Sequence, residues 1–118
     1  MSMQNGSVQE LLQDILDFAD RVERFSGSAT KKDFLNDEMM RWAVAKCIEA
    51  IGEAAGRIVS QHSQFAEAHQ ELELIEAYRM RNRLSHGYGS INWLLVWRTA
   101  CDDVPALASR IRKLLDDT

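Results

Sequence analysis

Residues 36–59 read NDEMMRWAVAKCIEAIGEAAGRIV, and the spacing of the apolar positions in this stretch decides the fold. Met40, Val44, Cys47, Ile48, Ile51, Ala55 and Ile58 recur at intervals of three and four, the period of an α-helix that buries one side. The spacing predicts one helix over the whole stretch. A second side carries Ala45, Gly52 and Gly56. Glycine inside a helix costs about 1 kcal/mol against alanine, so two of them predict a neighbour at close range. That neighbour is either another helix of the same chain or a second subunit.

Outward from this stretch the same period recurs. Residues 8–25 form a helix by pattern, with Val8, Leu11, Leu12, Ile15, Phe18, Ala19 and Val22 on one stripe. Ser7 and Glu10 have the spacing of a capping box, and Ser26–Gly27–Ser28 breaks the pattern. Residues 63–70 read as a short helix or a turn. A third long helix is expected over residues 71–86 and a fourth from Asn92. Pro105 removes a backbone donor and crowds the carbonyl of Cys101, so it is expected to kink or split that last helix. Asp103 is the candidate cap for a fresh start. Four or five antiparallel helices with short links predict an all-α, up-and-down bundle, with residues 1–118 as one domain.

Bulk properties narrow the function classes. The chain has 118 residues, 46% hydrophobic and 27% charged, the balance of an ordinary globular domain with a modest core to which oligomerisation is a natural supplement. Its net charge of −4 argues against coating nucleic acid by bulk electrostatics, though not against a small basic site on an acidic body. Cys47 and Cys101 stand alone in apolar patterns and are expected as buried free thiols. No Cys/His cluster has metal-ligand spacing, so neither a metal nor a cofactor is expected. The first residues lack the basic and apolar regions of a signal peptide, and no apolar run reaches the roughly 20 residues of a membrane span. A cytoplasmic location without membrane contact is expected.

The third helix carries a conflict. In projection Leu74, Ile75, Ala77, Tyr78 and Leu84 fall on one apolar arc, and Arg81 falls inside it. A guanidinium stays charged, so it needs a partner or a wet cleft. Glu49 and Glu53 are the candidate structural partners. Arg79 and Arg83 fall on the opposite side, as a basic face. His86–Gly87 reads as the end of the helix, with Gly87 suited to the left-handed cap position and His86 facing the negative end of the macrodipole. His86 is therefore either a capping residue or a proton-handling group. Tyr88 is either an aromatic lid or an accessible phenol.

Arg81, four residues, His86, one residue and Tyr88 form an R-x4-H-x-Y motif, with a polar Asn82 directly after the arginine. This resembles the signature of HEPN-domain proteins of the HepT type. Residues 50–55, A-I-G-E-A-A, resemble the second helix of that family, and Val96–Trp97 and residues 104–107 resemble its last helices. The resemblance implies a metal-independent ribonuclease toxin that works as a homodimer, with two motifs facing a shared cleft. Arg81 would clamp the scissile phosphate, His86 would act as general base or acid, and Asn82 would orient phosphate or histidine. Arg79 and Arg83 become candidate RNA contacts. The resemblance also implies a partner of the MntA type, a nucleotidyltransferase antitoxin that places AMP on Tyr88. Arg81 and His86 lie about 140° apart on an ideal helix, so they converge only past its last regular turn or across two protomers. Two other readings use the same residues. One is a non-catalytic subunit that binds nucleotide or substrate for a nucleotidyltransferase. The other is a plain helical interaction domain in which Arg81 is structural.

Overall fold

A computed structural model of the chain describes residues 6–86 and 88–117, with His86 and Tyr88 described through the backbone alone. The expected cap at Gly87, and the side-chain roles expected of His86 and Tyr88, lie outside the described residues.

Local chemistry sets the helix ends. In α1 (Val8–Ser26) the Ser7 hydroxyl accepts from Glu10 N at 3.1 Å and Ser7 N donates to Glu10 Oε1 at 2.9 Å, the expected capping box. Thr30 and Asp33 repeat that arrangement at the start of α2 (Lys31–Leu35), and Asp37 accepts from Met40 N at 3.0 Å to open α3 (Glu38–Gln61). The single helix expected from residue 36 is thus preceded by a separate short one, because two side-chain caps stand seven residues apart. Phe34 in α2 is fully buried, with its ring centroid 6.4 Å from Trp93 and 5.2 Å from Trp97.

Residues 63–70 do hold a short helix, α4 (Ser63–Ala68), followed by a 3₁₀ turn over Gln70–Leu72. Glu73 then turns left-handed at φ 54°, so α5 (Leu74–His86) starts three residues later than the pattern suggested. Another 3₁₀ turn, Tyr88–Ser90, leads to α6 (Trp93–Arg98), which Asn92 caps through Leu95 N at 3.1 Å.

Pro105 is accommodated differently from the expectation. Asp103 is helical and makes no side-chain cap bond. Instead Thr99–Asp103 widens to a π-turn, in which Val104 N donates to Thr99 O, before α7 (Val104–Asp116) continues. The wider register takes up the extra residue and the missing donor of proline without breaking the helix.

Four long helices, α1, α3, α5 and the continuous α6–α7, carry the bundle, and the described residues include no strand. The all-α expectation stands. α3 is central: α1 packs on one flank and α5 on the other, with α7 closing against α1. His62, just past the end of α3, reaches the Gly6 carbonyl at 3.1 Å, which sets α1 antiparallel to α3. Among the described residues no helix is long and apolar enough to cross a membrane. Cys47 is buried as expected, but Cys101 is exposed: it lies seven residues after Leu94 on a helix strip that faces outward, where Leu94 is 55% exposed.

Candidate active site

The site grows from the contact between α3 and α5. Gly52 and Gly56 are placed as their cost required. A Cβ on Gly52 would collide with Arg81 Cβ and stand 2.6 Å from the Ala77 carbonyl oxygen. A Cβ on Gly56 would run into the Tyr78 ring, 2.7 Å from Cε1 and nearer still to Cδ1. The close neighbour is therefore α5 of the same chain.

With the backbones this near, polar side chains meet in antiparallel order along the seam. Ser85 Oγ donates to Glu49 Oε2 at 2.6 Å, and Lys46 Nζ holds Glu49 Oε1 at 3.2 Å. One turn along, Arg81 Nη2 meets Glu53 Oε2 at 3.2 Å, while Arg81 Nη1 donates to Asn82 Oδ1 at 3.0 Å. Glu53 Oε1 faces Arg57 Nη2 at 3.4 Å, so one carboxylate serves two guanidiniums. The next rung is Tyr78 against Gly56.

The conflict at Arg81 is thereby resolved. Its Cβ end packs against α3 in the space that Gly52 leaves, and its charged end reaches Glu53 with 29% of the side chain still exposed. Of the two candidate partners, Glu53 takes the arginine, whereas Glu49 takes Ser85. Arg81 and Asn82 are brought together. Arg57 was not singled out by pattern, although Glu53 and Arg57 stand four residues apart, the spacing of a helical ion pair.

Two members of the expected apolar arc depart from it. Ile75 is 47% exposed and Tyr78 39%, while Met80, outside that arc, is buried with Leu74 and Leu84. The arc is rotated because the core below α5 also receives Leu72, Leu95 and Leu107, which draw Met80 inward.

Arg79 and Arg83 are exposed, as expected, and lie away from Arg81. They line a cleft of about 430 Å³ with Arg98 and Arg110, between α5 and the continuous α6–α7. Glu73, Glu76 and Asp103 line it too; Arg110 meets Glu73 at 3.5 Å and Arg79 meets Glu76 at 3.7 Å, so the cleft carries both signs. Neither thiol belongs to the seam. Burial pushes the Cys47 thiol above its ordinary range, with Arg21 and Arg24 opposing, and desolvation followed by the Asp102 charge raises Cys101.

Over residues 15–114 the chain matches the family described as ribonuclease HepT-like. It is 32% identical over 108 residues to a Thermococcus cleftensis protein named as a probable ribonuclease HepT, covering 92% of this chain and 96% of that one. It is 29% identical over 115 residues to a Methanocaldococcus jannaschii protein named as a candidate RNase, covering 98% of this chain and 93% of the relative. A second protein of that organism, similarly named, is 32% identical over 109 residues, covering 92% and 97%. No solved structure matches the chain.

Proposed function

We infer the function of this chain from its family and its seam: it belongs to the HepT-like ribonucleases. The reading is a ribonuclease toxin that cleaves RNA without a metal, with Arg81, Asn82 and His86 as the reacting set. The observation that carries it is the setting of Arg81, held between Glu53 and Asn82 in the turn that leads to His86 and still open to solvent. A guanidinium so placed can accept a phosphodiester and stabilise the charge that builds on its equatorial oxygens. His86 would take the proton from the ribose 2′-hydroxyl or return one to the leaving oxygen. Asn82, already bonded to Arg81, would keep the guanidinium turned toward the phosphate. A homodimer would set two such motifs across one cleft. The partner would be a nucleotidyltransferase antitoxin of the MntA type, and AMP on Tyr88 would place an anion where RNA phosphates must enter. Arg79 and Arg83 are assigned to RNA on charge alone.

A second reading draws on the same ion pair. With Glu53 at 3.2 Å, Arg81 keeps one side open for a nucleotide phosphate, and the net charge of −4 disfavours a long RNA backbone, which suits a helical subunit that binds nucleotide for a nucleotidyltransferase without cutting. The deciding measurement compares the chain with its Arg81→Ala and His86→Ala variants, in cells and on labelled RNA with EDTA present. The nuclease reading expects growth arrest and cleavage by the parent alone, with each variant slower by about 10²-fold or more. Cleavage by Arg81→Ala at the parent's rate, or a parent that leaves RNA intact, sinks it in favour of the binding subunit. Tyr88→Phe should stay toxic but gain no AMP mass when incubated with the partner and ATP. An adduct on that variant would place the acceptor elsewhere.

A further inference from the structure

The rung of the seam beyond Arg81 is unused by this reading. Along α5, Tyr78 stands one turn before Arg81 and shares its flank toward α3, since residues three apart on a helix are neighbours. Along α3, Arg57 stands one turn after Glu53 and is tied to it at 3.4 Å. The two guanidiniums of Arg57 and Arg81 therefore sit side by side on the two oxygens of one carboxylate, which leaves one positive charge in excess. On the next rung of the seam is an aromatic ring whose edge rests on the bare backbone of Gly56 and which remains 39% exposed. Ile75, one turn further and 47% exposed, extends the apolar ground beside it.

A partly exposed aromatic ring offers a face on which a nucleobase can stack. Recognition of single-stranded RNA commonly pairs such a ring with an arginine that takes the adjoining phosphate. The sequential order here supplies both elements next to the proposed cleavage residue: Arg81, then Arg57 with Tyr78. We propose that Tyr78 and Arg57 form the subsite for the nucleotide flanking the scissile phosphate, with its base on the Tyr78 ring and its phosphate on the Arg57 guanidinium. Gly56 is part of the same device, because any side chain there would lift the ring from its seat. The proposal rests on the ribonuclease reading and adds to it where the substrate is held.

The test uses the full chain and a fluorescent RNA 12-mer that it cuts, prepared as a set with one abasic ribose stepped through the positions around the cleaved bond. In the parent, one flanking position should lower kcat/KM by about ten- to a hundredfold, the usual weight of one stacked base. In Tyr78→Ala that loss should already be present, and the abasic substrate at that position should add nothing further. Tyr78→Phe should restore the parent's position dependence. Tyr78→Leu, which keeps apolar bulk against Gly56, should behave like the alanine variant, so a folding defect is told apart from lost stacking. Arg57→Ala should raise KM and lower the salt slope of binding by about one. A Tyr78→Ala protein that retains the parent's position dependence overturns the subsite, and so does a Tyr78→Ala protein whose sole change is loss of a dimer, since the ring would then be covered by a second copy. If the parent cuts no RNA, the ribonuclease reading has failed by itself. The same abasic scan, read as affinity for an uncleavable 2′-O-methyl oligomer, then decides the subsite with the same two outcomes.

Discussion

The two flanks of α3 share one apolar core and differ in what runs along its edge. Toward α1 the contact is aliphatic: Leu11, Leu12, Ile15 and Val22 join Val44, Ile48, Ile51 and Ile58 in one buried cluster. Toward α5 the helices come closer, because two glycines allow it, yet the seam carries Ser85–Glu49, Arg81–Glu53 and the Glu53–Arg57 pair. One flank removes apolar surface from water and supplies stability. The other buries Leu74, Met80 and Leu84 of α5 in the same core, and along its edge it holds charged groups partly out of water, where pairing roughly offsets desolvation and adds little net stability.

The largest expected effect breaks the dry flank. Ile15→Ala removes a fully buried side chain and should cost about 2–5 kcal/mol in urea denaturation, whereas exposed-edge changes on the seam should cost far less. An Ile15→Ala cost below that of Arg81→Ala would erase the contrast between the two flanks.

Next in size is Gly52→Ala. Alanine gains about 1 kcal/mol in helix propensity, but its Cβ meets Arg81 Cβ and the Ala77 carbonyl, which must move with the backbone of α5. Overpacking of this kind costs about 1–3 kcal/mol, so a net destabilisation is expected, together with loss of RNA cleavage as Arg81 is displaced. Gly56→Ala sharpens the point. Its Cβ meets a side chain that can swing aside, so stability should change less than for Gly52→Ala. Equal denaturation midpoints for the two variants would show that the backbone approach at Gly52 is not the tighter one.

The smallest effect is expected in the mixed-charge cleft away from Arg81. Arg79→Ala with Arg83→Ala should leave stability within about 0.5 kcal/mol, since both side chains are exposed. RNA affinity should fall by a similar factor for every sequence tested. Sequence-selective loss would mean that this side of α5, and not the seam, reads bases.

Much of this was legible before any coordinates. The four long helices followed from apolar spacing, and the capping box at Ser7 and Glu10 from residue type, because both signals are local. Gly52 and Gly56 announced a close neighbour through their cost alone, and Arg81 announced a carboxylate partner by standing where charge does not belong. The separate short α2 ahead of Asp37, the late start of α5 and the π-turn before Pro105 were not legible, since each depends on which of several competing caps and registers the surrounding packing selects.

What the chain determines by itself, then, is period, caps and the positions where a residue type conflicts with its surroundings, because these depend on neighbours a few residues away. Which carboxylate answers Arg81, that Glu49 is given instead to Ser85, that Arg57 joins the pair and that Tyr78 stays in reach of solvent are decided by the antiparallel register of α3 on α5. That register comes from the fit of two whole helices at a glycine contact, and residues some 30 apart in the chain meet there only after the bundle has closed.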